Sequence, residues 1–299
     1  MSSKEGIHVY VRVRPPISDD LNYATAVHAS SSTTINLSDK KHDVTCEYEN
    51  VFPETATQTD VFDAVQPLLN DVLNGFNGCI FAYGQTSAGK THTMLGKNGG
   101  QYLMDYKYEW GLLPRAADYL FRELQQKEQA GIISFKVKCS FLQLYNECIY
   151  DLLNNSSPSI VNTNTNDDED IGKRDVGLKI REVSHDSIAK KHRKSKQAPS
   201  NDNMEVYVSG LSEFRVHSAS DVITLLTLGS NNRATRATAF NESSSRSHAI
   251  LTLNFEIEML QTDSNGATTI YRSKLNMVDL AGSEKMYTHN ESDTQFNSS

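Results

Sequence analysis

Three short segments hold the residues best placed to do chemistry. Gly84-Gln85-Thr86-Ser87-Ala88-Gly89-Lys90-Thr91 fits G-x-x-x-x-G-K-[ST]. Glycines let a backbone curl closely around phosphates with its N–H groups turned inward. A helix opening at Lys90 adds a field that favours anions. In that pattern the Lys90 ammonium reaches the β and γ phosphates and the Thr91 hydroxyl ligates Mg2+. The second segment is Asp279-Leu280-Ala281-Gly282. An aspartate leaving a buried strand can hold Mg2+ through water, and the following glycine can offer its amide to a terminal phosphate. Alone, D-x-x-G reads as a turn; its weight comes from being the second half of a nucleotide site. The third segment, Asn241-Glu242-Ser243-Ser244-Ser245-Arg246-Ser247-His248, groups serines with an arginine. Such a run is ordinarily a solvated loop, yet its hydroxyls can meet Mg2+ and water while Arg246 pairs with a carboxylate. No N-K-x-D guanine-reading motif occurs in the chain, which favours adenine as the base.

These segments need elements to position them. Cys79 to Tyr83 is a short apolar run suited to a buried strand, directly before the glycine-rich turn. Ile7, Val9, Val11 and Val13 alternate with polar residues as a strand that Pro15 and Pro16 stop. Residues 18–50 read as short strands and turns. Phe62, Val65, Leu69, Val72 and Leu73 follow a helical period, with Thr59 ahead and Asn74-Gly75 as the stop. Leu113 to Leu124 reads as a helix with Pro114 in its first turn. Ile133 to Phe141 and Ala249 to Met259 alternate as long strands, and Leu275 to Val278 is a third. Interleaved strands and helices predict an α/β sandwich around a buried sheet. Residues 154–177, rich in asparagine and aspartate, and 184–203, with Lys190, Lys191, Arg193, Lys194 and Lys196, read as flexible surface insertions. Residues 285–299 read as a polar tail.

Composition sets the bounds. A chain of 299 residues with 38% hydrophobic and 22% charged residues can build one large core and is not globally disordered. No stretch approaches the ~20 apolar residues of a membrane span, and the polar start, Met1 to Gly6, does not resemble a signal peptide. Cys46, Cys79, Cys139 and Cys148 form no C-x-x-C pair, which argues for a reducing compartment and against a zinc or disulfide scaffold. A net charge of −8 disfavours a wholly basic nucleic-acid binder.

Taken together and in order, the blocks resemble the kinesin motor domain. They are Arg12-Val13-Arg14-Pro15, Asn77 to Tyr83 leading into the phosphate loop, Thr91-His92-Thr93-Met94, and Tyr145 to Leu153. Val208-Ser209-Gly210-Leu211, Asn232-Arg233, Asn241 with Ser244 to His248, and Asp279 to Glu284 complete the set. Myosins share the site logic but use other switch sequences. The resemblance implies a P-loop NTPase-type α/β fold: a single motor domain over 1–299 with a mostly parallel or mixed central sheet and helices on both faces. It implies an ATP-dependent microtubule motor that needs ATP and Mg2+, works in the cytoplasm on the cytoskeleton and binds tubulin rather than nucleic acid. By position, Arg12, Pro15 and His92 would border the adenine, and Gly84, Gln85, Thr86, Ser87, Ala88, Gly89, Lys90 and Thr91 would hold the phosphates. Ser244 and Ser245 would sense Mg2+ and the γ-phosphate, Ser245 with Thr91 and, through water, Asp279 forming the metal's ligand set. Gly282 would sense the γ-phosphate from the other side, and Arg246 and Glu284 would close as a salt bridge that positions the attacking water.

The sequence departs from the family at three places. Ser87-Ala88 replaces a glycine-rich loop centre while the pattern's fixed residues remain. The basic run Lys190 to Lys196 can touch acidic tubulin or simply be solvated. After Glu284 the relay helix, a further core strand and the neck do not follow, so an open sheet edge and exposed apolar surface are expected. A non-motile nucleotide- or microtubule-binding fragment is therefore the alternative reading, and a P-loop ATPase without a cytoskeletal link the blander one.

Overall fold

The computed structural model describes residues 6–16, 27–38, 43–97, 107–154, 177–184, 204–239, 244–261 and 268–284. The expected insertions and the 285–299 tail lie almost wholly outside them. In chain order the elements are β1 (Tyr10–Arg12), β2 (Val27–Ala29), β3 (Thr34–Ser38), β4 (Asp43–Glu47), β5 (Asn50–Phe52), α1 (Gln58–Leu73), β6 (Gly78–Ala82), α2 (Lys90–Met94) and α3 (Leu112–Gln129). They continue with β7 (Ile133–Tyr145), β8 (Cys148–Asp151), β9 (Lys179–Ser184), β10 (Met204–Ser209), β11 (Phe214–Val216), α4 (Ala219–Ala239), β12 (His248–Met259) and β13 (Ile270–Asp279).

The central sheet runs β11-β7-β12-β13-β6, with β8 also on β7. Its pairs are antiparallel except β13 with β6, which is parallel. The register explains why it holds. Leu251 sits opposite Phe141, Leu253 opposite Cys139 and Phe255 opposite Val137. Met277 and Leu275 continue the first two of these rows on β13. A period-two pattern thus becomes one continuous apolar face, and a one-residue slip would turn all of it to solvent. That face joins one core with Leu69, Val72, Leu120, Phe121, Leu124, Val222 and Leu226 of α1, α3 and α4.

The opposite face carries polar rows. Lys136 and Arg272 flank Glu256 at 3.0 and 3.1 Å, Lys138 and Asn254 meet Glu213, and Thr252 meets Asn276. Among the described residues the helices therefore cover one face of this mixed sheet. The run from Cys79 to Tyr83 differs from its expectation for the same reason. Cys79 lies opposite Asn276 and Phe81 opposite Val278, on the polar-row side, and Phe81 is 54% exposed. An apolar run has no period from which one-sided burial can be told from two-sided. Among the described residues β6 pairs only with β13, so the sheet is open at its β6 edge.

Local chemistry moves several boundaries. The expected strand from Ile7 shortens to Tyr10–Arg12, parallel to β5; Ile7, without a ladder partner, is 80% exposed. Helix α1 starts from Thr57 rather than Thr59, because Thr57 and Asp60 form a capping box. It stops at Asn74-Gly75 as read, with Gly75 at φ 98°. Helix α4 has no counterpart in the sequence reading. Ser218 caps the Asp221 amide at 3.2 Å while the Asp221 carboxylate accepts from the His217 amide at 2.7 Å, an S-x-x-D start that the pattern Val222, Ile223, Leu226 could have flagged. Residues 27–38 and 43–47 hold the expected short strands, a three-stranded antiparallel sheet β2-β3-β4.

Gly229 lets α4 lie directly on the sheet, since a Cβ there would run into the Phe141 ring. Gly229→Ala should lower stability by about 1–3 kcal/mol through overpacking, although alanine gains about 1 kcal/mol in helix propensity. A urea midpoint equal to or above that of the unaltered protein would show that α4 does not seat on Phe141.

Candidate functional site

Strand β6 delivers the chain into the loop 83–89, and α2 opens at Lys90 with Gly89 before it. The loop turns through left-handed backbone at Ser87 (φ 63°) and Gly89 (φ 98°). Serine accepts that conformation at about 1 kcal/mol, which glycine avoids. The Lys90 ammonium lies across the loop and donates to the Gly84 and Gln85 carbonyls, each at 2.8 Å.

The Thr91 hydroxyl donates to Asp279 Oδ2 at 2.8 Å. Asp279 ends β13 and is only 3% exposed, so its charge needs compensation. Arg233 of α4 supplies it at 2.8 Å through Nη1, and its Nη2 donates to the Ser247 carbonyl at 2.9 Å. One carboxylate thus ties α2 and α4 to the end of β13, and Arg233 extends the link to the serine-rich segment. Its other oxygen, Oδ1, is buried without a hydrogen-bond partner among the described residues.

Backbone bonds stitch the three segments. Gly282 N–H donates to the Ser245 carbonyl at 2.7 Å, Ser283 N–H to the Gly84 carbonyl at 3.1 Å, and Ala281 N–H to His248 Nδ1 at 3.0 Å. Glu284 accepts from the Thr86 amide at 2.8 Å and from the Thr86 hydroxyl. The Thr86 hydroxyl foremost, then its own amide and that of Thr86, with Lys90 nearby, hold the Glu284 carboxyl below the usual range. A side chain on Gly282 would run into that carboxylate and Thr86 Oγ1, so it would displace the Glu284–Thr86 contact.

Two expectations differ here. The Arg246–Glu284 salt bridge is not formed: Arg246 is exposed, and Glu284 is held by Thr86. The Thr86 amide and hydroxyl satisfy the carboxylate here, and an exposed ion pair differs from that arrangement by little in free energy. The Gly282 amide faces the Ser245 carbonyl. Ser244 to Arg246 form one 3-10 turn, and Asn241 lies outside the described residues.

The base-side residues also converge. Arg12 Nη1 donates to Gln58 Oε1 at 2.9 Å and to Thr93 Oγ1 at 3.0 Å. Gln58 Nε2 donates to the His92 carbonyl at 2.7 Å and lies 3.2 Å from His92 Nδ1. Burial first, then the Arg12 charge, keeps His92 below its ordinary value against the pull of Glu109. Pro15 is exposed. The sequence reading missed Gln58; its place in the first turn after a capped start carries no functional signature. It also gave Arg233 no role.

The donor set suits a hard divalent cation. The Thr91 hydroxyl and a carboxylate with an unpartnered oxygen are oxygen ligands of the kind Mg2+ takes. Among the described residues no group of three histidine, cysteine or acidic side chains could hold a metal by itself. No described helix is long and apolar enough to cross a membrane.

Comparisons with known proteins converge. The profile of the kinesin motor domain matches residues 12–299. Kinesin-like protein KIF15-B of Xenopus laevis is 36% identical over 292 residues, covering 95% of this chain and 18% of its own length. Kinesin-like protein KIF15 of Homo sapiens is 36% identical over 300 aligned positions, covering 97% and 19%. The chain thus spans about a fifth of these relatives' length. A solved structure of a fast kinesin superposes with a TM-score of 0.75 at 29% identity, over 98% of this chain and 70% of that one.

Two consequences are measurable. Arg233→Met should cost about 3–5 kcal/mol, because Asp279 is left buried and uncompensated; a loss under 1 kcal/mol in chemical unfolding would mean the carboxylate is solvated. His248 accepts the Ala281 amide through Nδ1, so that nitrogen carries no proton. Burial, helped by Arg233 and opposed by Asp279, keeps its pKa low. The unfolded chain then binds the extra proton between that depressed value and about 6.5, and stability falls as pH drops through the window. His248→Asn should flatten that decline; an unchanged slope would contradict the contact.

Proposed function

The chain belongs to the kinesin motor domain family, and from that membership we propose that it binds ATP with Mg2+ and hydrolyses the terminal phosphate as the head of a microtubule motor. The observation that carries the reading is the meeting of Thr91 and Arg233 on the Asp279 carboxylate, with Arg233 also holding the Ser247 carbonyl of the serine segment. Gly84 to Thr91 hold the phosphates through inward amides, and Lys90 exchanges its two carbonyl partners for phosphate oxygens. Thr91, Ser245 and, through water, Asp279 hold Mg2+, which supplies charge neutralisation to the phosphate oxygens when bound. Ser244, Ser245 and Gly282 report the γ-phosphate. Glu284 leaves Thr86 to meet Arg246, and that pair orients the attacking water. Arg12, Pro15 and His92 border the adenine. This is phosphoryl transfer by positioning and electrostatics.

Movement of the two stitched loops on hydrolysis is the mechanical output. The partner is the microtubule, which places the protein on the cytoskeleton in the cytoplasm. In the full-length protein, microtubules should stimulate ATP turnover, and Lys90→Ala should lower it roughly 100-fold or more. Unchanged turnover in that variant would overturn the site assignment. Turnover indifferent to microtubules, without co-sedimentation, would remove the motor reading and leave a nucleotide-binding protein.

A further inference from the structure

Gln58 is 7% exposed and sits between β1 and α2, whose Arg12 and His92 the nucleotide reading places at the base. Capping of α1 does not use its side chain, because Thr57 and Asp60 do that work. Both ends of its amide are engaged across the chain. An arginine has donors only, so the atom facing Arg12 Nη1 at 2.9 Å must be Oε1. The amide nitrogen therefore faces His92 and donates to its carbonyl at 2.7 Å, with Nδ1 3.2 Å away. His92 Nδ1 is then the acceptor and the ring proton sits on Nε2. Thr93 Oγ1 takes the same Arg12 nitrogen at 3.0 Å, which fixes the guanidinium from a second side. The amide cannot rotate without stranding groups on both sides. The result is a rigid pair of planar groups, a guanidinium and a neutral imidazole of set tautomer, beside the phosphate loop, and both stack well on a heteroaromatic ring.

We infer that Gln58 is the positioning residue of the base-side wall, holding Arg12 and His92 in the arrangement that receives the purine. The inference rests on the nucleotide reading above and deepens it, because it separates recognition of the base from recognition of the phosphates. Among the contacts of the described residues Gln58 meets α2 only at His92 and none of residues 84–91, so its removal should act on the base far more than on the phosphates.

The test is calorimetric titration of the full-length protein with Mg2+ and either ADP or pyrophosphate. Gln58→Met, which keeps the volume and removes the amide, should weaken ADP about ten-fold and leave pyrophosphate within about two-fold. Equal weakening of both probes, or of neither, overturns the inference. Gln58→Glu is the second variant. It still accepts from Arg12 but must also accept from the imidazole, so at about pH 8 the ring proton should move to Nδ1. Nitrogen-15 imidazole spectra read that change directly, and an unchanged tautomer overturns the link between Gln58 and His92. An unaltered protein that binds neither probe fails the nucleotide reading and the inference with it. One that binds pyrophosphate as tightly as ADP fails only the base wall.

Discussion

A single buried carboxylate constrains the whole site. Asp279 stands at the end of β13, where the core has excluded water. An ionised group there is tolerable only with a cation and hydrogen-bond donors at contact distance. Arg233 and Thr91 provide them from α4 and α2. Each partner brings its element along. The helix after the phosphate loop cannot shift relative to β13 without loosening Thr91. Helix α4 cannot slide without uncovering Arg233, which also holds the Ser247 carbonyl.

Around this anchor the coupling is carried mainly by main chain. Backbone hydrogen bonds link Ser245 to Gly282 and Gly84 to Ser283, and the His248 ring adds Ala281. Backbone bonds cannot be relaxed by a rotamer change, so displacement of one loop is passed to the next. The Glu284 contact with Thr86 differs in kind. It is made by an exposed side chain and can be exchanged for another partner at low cost. The site therefore combines a fixed buried base with an outer contact that is free to change hands.

Much of this was legible in the sequence because it rests on periodicity and local chemistry. The alternation in β7 and β12 set the apolar face, and the expected strand–loop–helix setting of Gly84 to Thr91 is present as β6, loop and α2. What escaped rests on meetings between residues far apart in the chain. Gln58 gains its role from Arg12 and His92, and Arg233 gains its role from Asp279, a residue 46 positions away. No local pattern encodes either. The exposure of Phe81 escaped because an apolar run does not say how many faces of its strand are covered. The expected Arg246–Glu284 pair came from positions in a motif, and the alternative partner, Thr86, becomes visible only when the loop is folded against the D-x-x-G turn.

The parallel pairing of β6 with β13 also sets an order of events during synthesis. The strand that feeds the phosphate loop finds its only ladder partner, among the described residues, nearly two hundred residues later, and Thr86 meets Glu284 at a separation of 198. Loop closure over such a span is slow and gains nothing until β7 and β12 have laid down the rows that β13 extends. Until then β6 has its neighbouring helices α1 and α2 but no ladder partner among the described residues. The three segments of the site therefore meet only once β13 is in place, and the strands made before it are the part a chaperone has most reason to hold.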